Sequence, residues 1–208
     1  MEMKDLIWTQ RNCLSPDFCR HVIQKFESDQ RKYPGKVIGD GTDSDSNIQP
    51  QYKVSTDLYI TRLNDWNSED TIFYQSLQPA VQDYIEYCNS FNPELMASFH
   101  DDKHDVGYQI QKTKPGEFYT WHSDWHYDMN NGYRIFTYIW YLNDIFDEGE
   151  TEFIDGTKIK PEEGKLLIFP ATWEYVHRGV SPKSETKYIS TGWIYQRFQR
   201  SEINVKGN

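Results

Sequence analysis

His122 and Asp124 stand two residues apart in the segment Trp121-His122-Ser123-Asp124-Trp125. In an extended strand, residues i and i+2 project to the same face. One imidazole and one carboxylate would therefore be offered to a single cation. A second imidazole from another strand would complete a face of two histidines and one carboxylate. Such a face leaves the remaining positions of an octahedral ion open for exchangeable ligands. The chain has six histidines, His21, His100, His104, His122, His126 and His177. On spacing alone two of them compete for the third place. His126 repeats the two-residue step beyond Asp124, and His177 lies on a distant segment.

Ligands of this kind need strands to hold them. From Val106 onward the chain reads as short strands at 106–113, 118–122, 134–142, 151–154, 165–169, 174–180 and 187–195. Turn signals separate them, among them Lys114-Pro115-Gly116, Asn130-Asn131-Gly132, Pro161-Glu162-Glu163-Gly164 and Ser181-Pro182-Lys183. Close spacing with Gly and Pro turns predicts a sandwich or barrel rather than alternating β-α units. Alternation places Lys187, Ile189, Thr191 and Trp193 on one face of the last strand, and Thr137 with Tyr141 on one face of an earlier one. The turn at Pro182 would bring Lys187 back towards the His177 strand.

The first third is expected to form a helical layer. Ser15-Pro16-Asp17 is a helix start, with a Ser cap, Pro in the first turn and an early acid. Phe18, Val22, Ile23 and Phe26 follow at helical spacing. Val54 to Ile60 reads as a strand. Asn67-Ser68-Glu69-Asp70 would cap a second helix whose apolar face is Ile72, Phe73, Leu77, Val81, Tyr84, Ile85 and Cys88. Asn92-Pro93 stops it. Residues 31–50, rich in Gly, Asp and Ser, read as a long loop and a candidate lid, as does the segment after Trp125. Asp43-Ser44-Asp45-Ser46-Asn47 has only a superficial likeness to a calcium loop. Ile48 stands where the glycine belongs and Val54 where the closing Glu belongs.

The 208 residues suit one domain. Lys and Arg number 22 against 32 Asp and Glu, a formal charge of −10. That balance argues against a general nucleic-acid binder, which needs a basic footprint. It favours a peptide, protein or small-molecule substrate. With 7 Trp, 15 Tyr and 11 Phe the chain can build a ring-rich core although only 37% of it is hydrophobic. No stretch has the roughly 18 apolar residues of a membrane span, and the N-terminus lacks a signal pattern. Cys13, Cys19 and Cys88 have no metal-type spacing and read as reduced thiols, which points to the cytoplasm.

The text around His122 adds specificity. Upstream runs Lys114-Pro115-Gly116-Glu117-Phe118-Tyr119-Thr120-Trp121. Downstream come Tyr141-Leu142-Asn143, Gly149-Glu150-Thr151-Glu152-Phe153, Gly164 to Pro170, His177-Arg178-Gly179-Val180 and Lys187. Over roughly residues 105–198 the chain resembles the 2-oxoglutarate and Fe(II)-dependent dioxygenases, in their prolyl 4-hydroxylase-like branch with its short bacterial and phage-type members. The resemblance implies a mainly β (α+β) fold with a double-stranded β-helix, or jelly-roll, core. Residues 1–104 would supply helical support and a β extension, and 105–200 the core, in one dioxygenase domain.

It also implies roles. His122, Asp124 and His177 would be the catalytic metal ligands, Lys187 the partner of the far carboxylate of 2-oxoglutarate, and Tyr141, Thr151 and Trp193 further contacts to that cosubstrate. Fe(II), 2-oxoglutarate and O2 would be required, with ascorbate as an accessory reductant. The reaction would hydroxylate a C–H bond, foremost of a peptidyl proline, releasing succinate and CO2. A free amino acid or other metabolite is the alternative substrate. A cupin-like metal-binding β-sandwich without 2-oxoglutarate turnover is the alternative class. One departure stands out: prolyl hydroxylases often carry a tyrosine nine or ten residues before the first metal histidine, and this chain has Lys112-Thr113 there. Trp121, Trp125, Tyr127, Trp140, Trp173 and Tyr175 form a candidate aromatic rim around a substrate, although sandwich core is the plainer reading for most of them. Arg134 and Arg178 would meet solvent or an acidic substrate group.

Overall fold

The computed structural model of the protein describes residues 2–37, 47–93 and 103–197. The middle of the 31–50 loop, most of the calcium-like run and His100 lie outside the described residues. Helices α1 (Pro16–Ser28) and α2 (Asn67–Phe91) accompany thirteen strands. These are β1 (Trp8–Gln10), β2 (Tyr33–Pro34), β3 (Thr56–Tyr59), β4 (Lys103–Asp105), β5 (Gln109–Thr113), β6 (Tyr119–His122), β7 (Tyr127–Asp128), β8 (Gly132–Tyr141), β9 (Thr151–Phe153), β10 (Lys158–Ile159), β11 (Leu166–Pro170), β12 (His177–Gly179) and β13 (Lys187–Gln196). The larger sheet runs β1-β11-β8-β13-β5-β3-β2, with β4 on β13 and β7 on β8. The smaller runs β10-β9-β12-β6. The strand spacing predicts a sandwich or barrel, and the two sheets form the jelly roll that the resemblance implies.

The central strands β8 and β13 are buried on both faces, and alternation gives each face a separate task. Phe136, Tyr138 and Trp140 of β8 point to the helices. Phe73 of α2 meets Trp140 at 5.1 Å and Tyr108 at 5.4 Å between ring centroids, and Tyr84 packs edge-on against Phe136 at 5.1 Å. Burying a ring such as Phe73 stabilises the fold by about 2–3 kcal/mol. The opposite face, with Thr137 and Ile139, looks into the hollow between the sheets. The same parity corrects the aromatic rim. Trp140 is core, and so is Tyr175, whose hydroxyl donates to the Met3 carbonyl.

Both helices form where expected, but they start differently. Ser15 caps α1 by accepting from the Phe18 amide at 3.2 Å, with Pro16 in the first turn. At α2 the expected polar cap is overturned. Asn67 is already helical, and the turn before it, Asn64–Trp66, is 3-10. Trp66 is fully buried and its indole N–H donates to Asp29 at 2.9 Å, so tertiary packing sets that helix start. The expected strand at 106–113 is shortened to β5. Its first residues, 106–108, lie outside any strand: Gly107, at φ +116°, separates β5 from the preceding β4, and its carbonyl accepts from Tyr138. Strands β1, β7 and β10 are too short to show a period. Among the described residues no helix is long and apolar enough to cross a membrane.

Candidate metal centre and cosubstrate pocket

His122 ends β6 and His177 begins β12, and the antiparallel register places them directly opposite each other. Their ring centroids are 4.3 Å apart. Asp124 follows β6 and turns its carboxylate between them, 3.8 Å from His122 Nε2 and 3.7 Å from His177 Nε2. One donor atom from each lies within 4.8 Å of the others, and among the described residues this is the one such cluster. His126 is not in it.

The ring orientations are set from behind. His122 Nδ1 is 2.7 Å from the Thr120 carbonyl and His177 Nδ1 is 3.0 Å from the Tyr175 carbonyl. A carbonyl can only accept, so each Nδ1 carries the proton and each Nε2 keeps a lone pair aimed at the cluster. Burial, then the neighbouring His177, pull His122 down to about 3, which keeps it neutral and able to ligate at ordinary pH. Burial alone would raise Asp124. The two imidazoles, Arg134 and the Thr137 hydroxyl, which donates at 2.7 Å, outweigh it and hold the carboxyl below its usual range. Two imidazoles and one carboxylate are the donor set of a non-haem Fe(II) face.

The hollow beside this cluster is lined in part by Lys187, the first residue of β13. Its ammonium is buried. It donates to the Gly149 carbonyl at 2.9 Å and reaches the Val180 carbonyl at 3.5 Å. No carboxylate among the described residues forms an ion pair with it. Burial pulls it down to about 8, with Glu150 acting weakly the other way. A buried cation satisfied only by carbonyls fits an anionic ligand. Thr151 and Trp193 line the same hollow. Tyr141 stands behind Thr151, donating to its hydroxyl at 2.7 Å. Thr113, opposite Lys187 in register, lines the hollow. Tyr108 is turned into the core against Phe73.

Several lining residues escaped the sequence reading. Lys53 and Ser55 come from the segment before β3, and Tyr119 stacks on His122 at 3.5 Å with planes 12° apart. No motif marks them, because their contact depends on a cross-sheet register. Arg134 is buried, which corrects its reading as surface charge. Its guanidinium lies 3.7 Å over the Trp193 ring, donates to Tyr195 at 2.7 Å and reaches the Asp124 carbonyl at 3.4 Å. Arg178 is half-exposed, paired with Glu152 at 2.6 Å and set over Trp121. Trp121, Trp125, Tyr127 and Trp173 are exposed.

A β-helix core with two histidines and a carboxylate beside a buried lysine defines a metal-dependent oxygenase with an anionic cosubstrate. Comparison with known proteins agrees. Residues 108–195 match the model of the 2OG-Fe(II) oxygenase superfamily. A protein of Acanthamoeba polyphaga mimivirus, provisionally named a prolyl 4-hydroxylase, is 25% identical over 205 residues, covering 89% of this chain and 72% of that one. The fold is also that of a viral collagen prolyl hydroxylase from Paramecium bursaria Chlorella virus-1, solved with 2-oxoglutarate. That match has a TM-score of 0.64 and 19% identity, over 92% of this chain and 97% of the other. A Pseudomonas putida prolyl-4-hydroxylase matches with a TM-score of 0.59 and 17% identity, over 92% of each chain. A Trichoplax adhaerens prolyl hydroxylase, solved with a hypoxia-inducible-factor peptide, matches at 0.63 and 17%, over 92% of this chain and 84% of the other. Over residues 108–195 the chain matches the 2OG-Fe(II) oxygenase superfamily, and it is a 2-oxoglutarate-dependent dioxygenase similar to the prolyl 4-hydroxylases.

Proposed function

We propose that this enzyme hydroxylates a C–H bond of a peptidyl proline: substrate, 2-oxoglutarate and O2 become hydroxylated substrate, succinate and CO2. The observation that carries the reading is the convergence of His122, Asp124 and His177 beside the otherwise unneutralised Lys187. His122, Asp124 and His177 would hold Fe(II), which when bound supplies the oxidising chemistry. Lys187 holds the far carboxylate of 2-oxoglutarate, Thr151 backed by Tyr141 donates to it, and Trp193 closes the pocket. The exposed Trp121, Trp125, Tyr127 and Trp173 offer flat apolar faces to an extended peptide. The names of the viral and bacterial relatives favour proline. The whole chain acts as one dioxygenase unit. Its three free cysteines favour the cytoplasm.

Arg134 favours a second reading. A buried guanidinium beside the metal face with no carboxylate partner among the described residues would suit the carboxylate of a free amino acid. One experiment separates these readings. Under anaerobic conditions, Fe(II) protein given 2-oxoglutarate develops a weak visible charge-transfer band, and His177→Ala abolishes it. Admitting O2 with a proline-rich peptide or with free proline then shows which product gains one oxygen atom by mass. A band without oxygen gain on either substrate overturns the proline assignment. Absence of the band despite bound iron overturns the site.

A further inference from the structure

We infer that Lys53 and Tyr119 are positioning residues for the metal ligand His122, joining the N-terminal half of the chain to the metal centre. The inference rests on the ligand assignment above.

The link begins in the backbone. Residues 52–54 run along the outer edge of β6: the Val54 amide donates to the Phe118 carbonyl and the Thr120 amide to the Tyr52 carbonyl, each at 2.8 Å. This register makes Lys53 the cross-strand partner of Tyr119. Directly opposed residues of an antiparallel pair carry their side chains on the same face. The Lys53 ammonium accordingly lies 5.2 Å from the centre of the Tyr119 ring. That is within the range of a cation–π contact. The other neighbour of the Tyr119 ring is the His122 imidazole, parallel to it at 3.5 Å.

Lys53 is itself held. Its ammonium pairs with Asp57 at 2.7 Å, and Asp57 also accepts from Ser55 at 2.8 Å and from Gln109 at 2.6 Å. Lys53 and Asp57 are both buried. They belong to different sheets, because the chain crosses from the β6 edge to β3 between them. Gly35 covers the pair so closely that an added Cβ would stand 2.1 Å from Ser55 Oγ and 3.0 Å from Lys53 Cε. A buried ion pair adds little stability over an apolar pair of equal volume. Its placement against the metal wall gives it another use. The Thr120 carbonyl fixes which nitrogen of His122 is free, and a held Tyr119 ring fixes the imidazole plane. Together they leave Nε2 one direction.

The test is metal affinity of the full chain, read with Co(II) alone from its visible d–d absorption, without 2-oxoglutarate, with the melting temperature of each metal-free variant beside it. Tyr119→Leu removes the ring and should weaken Co(II) by about tenfold to a hundredfold, the usual cost of losing a group that orients a ligand. Tyr119→Phe keeps the ring and should retain most of the affinity. Lys53→Met with Asp57→Asn removes both charges while keeping volume, and should cost about threefold to tenfold, with a shifted spectrum. Parental affinity and spectrum in both Tyr119→Leu and the double variant overturn the inference. Affinity losses that track melting temperature in every variant, Tyr119→Phe included, mark a merely structural role and overturn it too. Co(II) binding that survives His177→Ala overturns the metal site itself, and the inference with it.

Discussion

The two histidines face each other across one pair of strands, yet they are held by different physics. His177 sits inside the smaller sheet, between β9 and β6. Phe169 packs edge-on against its ring at 4.9 Å and Phe153 lies at 5.7 Å, and Phe153 and Phe169 touch each other at 4.9 Å. Its orientation is a by-product of the hydrophobic core. His122 ends β6, the strand at the sheet edge, where the core cannot reach. There a stacked tyrosine, a lysine and the segment 52–54 do the holding. A ligand on an internal strand inherits its rigidity, whereas one on an edge strand needs a dedicated support.

That contrast can be broken at its core side first. Phe153→Ala empties a fully buried site packed against Phe169 and the His177 ring. It should cost about 3–5 kcal/mol, seen as a melting temperature lower by roughly 10 °C. Tyr119→Leu should spare stability and lose metal; equal stability losses from the two variants would erase the difference claimed between the two histidines. Next is Lys187, held on an internal strand like His177. Lys187→Met should raise the KM for 2-oxoglutarate by about thirtyfold to a thousandfold, the cost of removing one partner of a buried charge pair. Lys187→Arg should recover part of it. An unchanged KM would remove Lys187 from the pocket's function.

A smaller effect follows from its titration. Burial sets the free pocket's ammonium at about 8, so it is charged below that pH and neutral above it. Only the charged form attracts a carboxylate. The KM for 2-oxoglutarate should therefore be flat below pH 8 and rise about tenfold per unit above it. In Lys187→Arg the rise should vanish, because guanidinium stays charged. The smallest effect belongs to Arg178, next to His177 in sequence but turned outward to Glu152. Arg178→Ala should change stability by less than about 1 kcal/mol and leave Co(II) affinity unaltered. A tenfold loss would show that the rim helps hold the internal histidine.

Much of this was legible in the residues. The two-residue step from His122 to Asp124 does bring both side chains into one cluster, although Asp124 lies just past the end of β6. Alternation along β13 predicts that Lys187, Ile189, Thr191 and Trp193 share a face, and all four line the hollow. Other features were not legible. Which of the candidate rim rings are core, as Trp140 and Tyr175 are, could not be read, because parity along β8 does not say which face meets the helices and Tyr175 lies outside any strand. Arg134 read as surface, because the sequence does not show that Trp193 and Tyr195 of β13 lie against it.

The sequence by itself determined what is local: the period of each central strand, the turns between them, the start of α1 and the donor types at two-residue spacing. These depend on backbone geometry over a few residues, which side-chain pattern reports directly. Only the tertiary structure decided which distant strands became neighbours. It placed His177 opposite His122, set Lys187 in the wall of the same hollow, and brought Lys53 to Tyr119 from far upstream. Such pairings are chosen by the free energy of closing a whole core at once, and no short stretch of residues contains that choice.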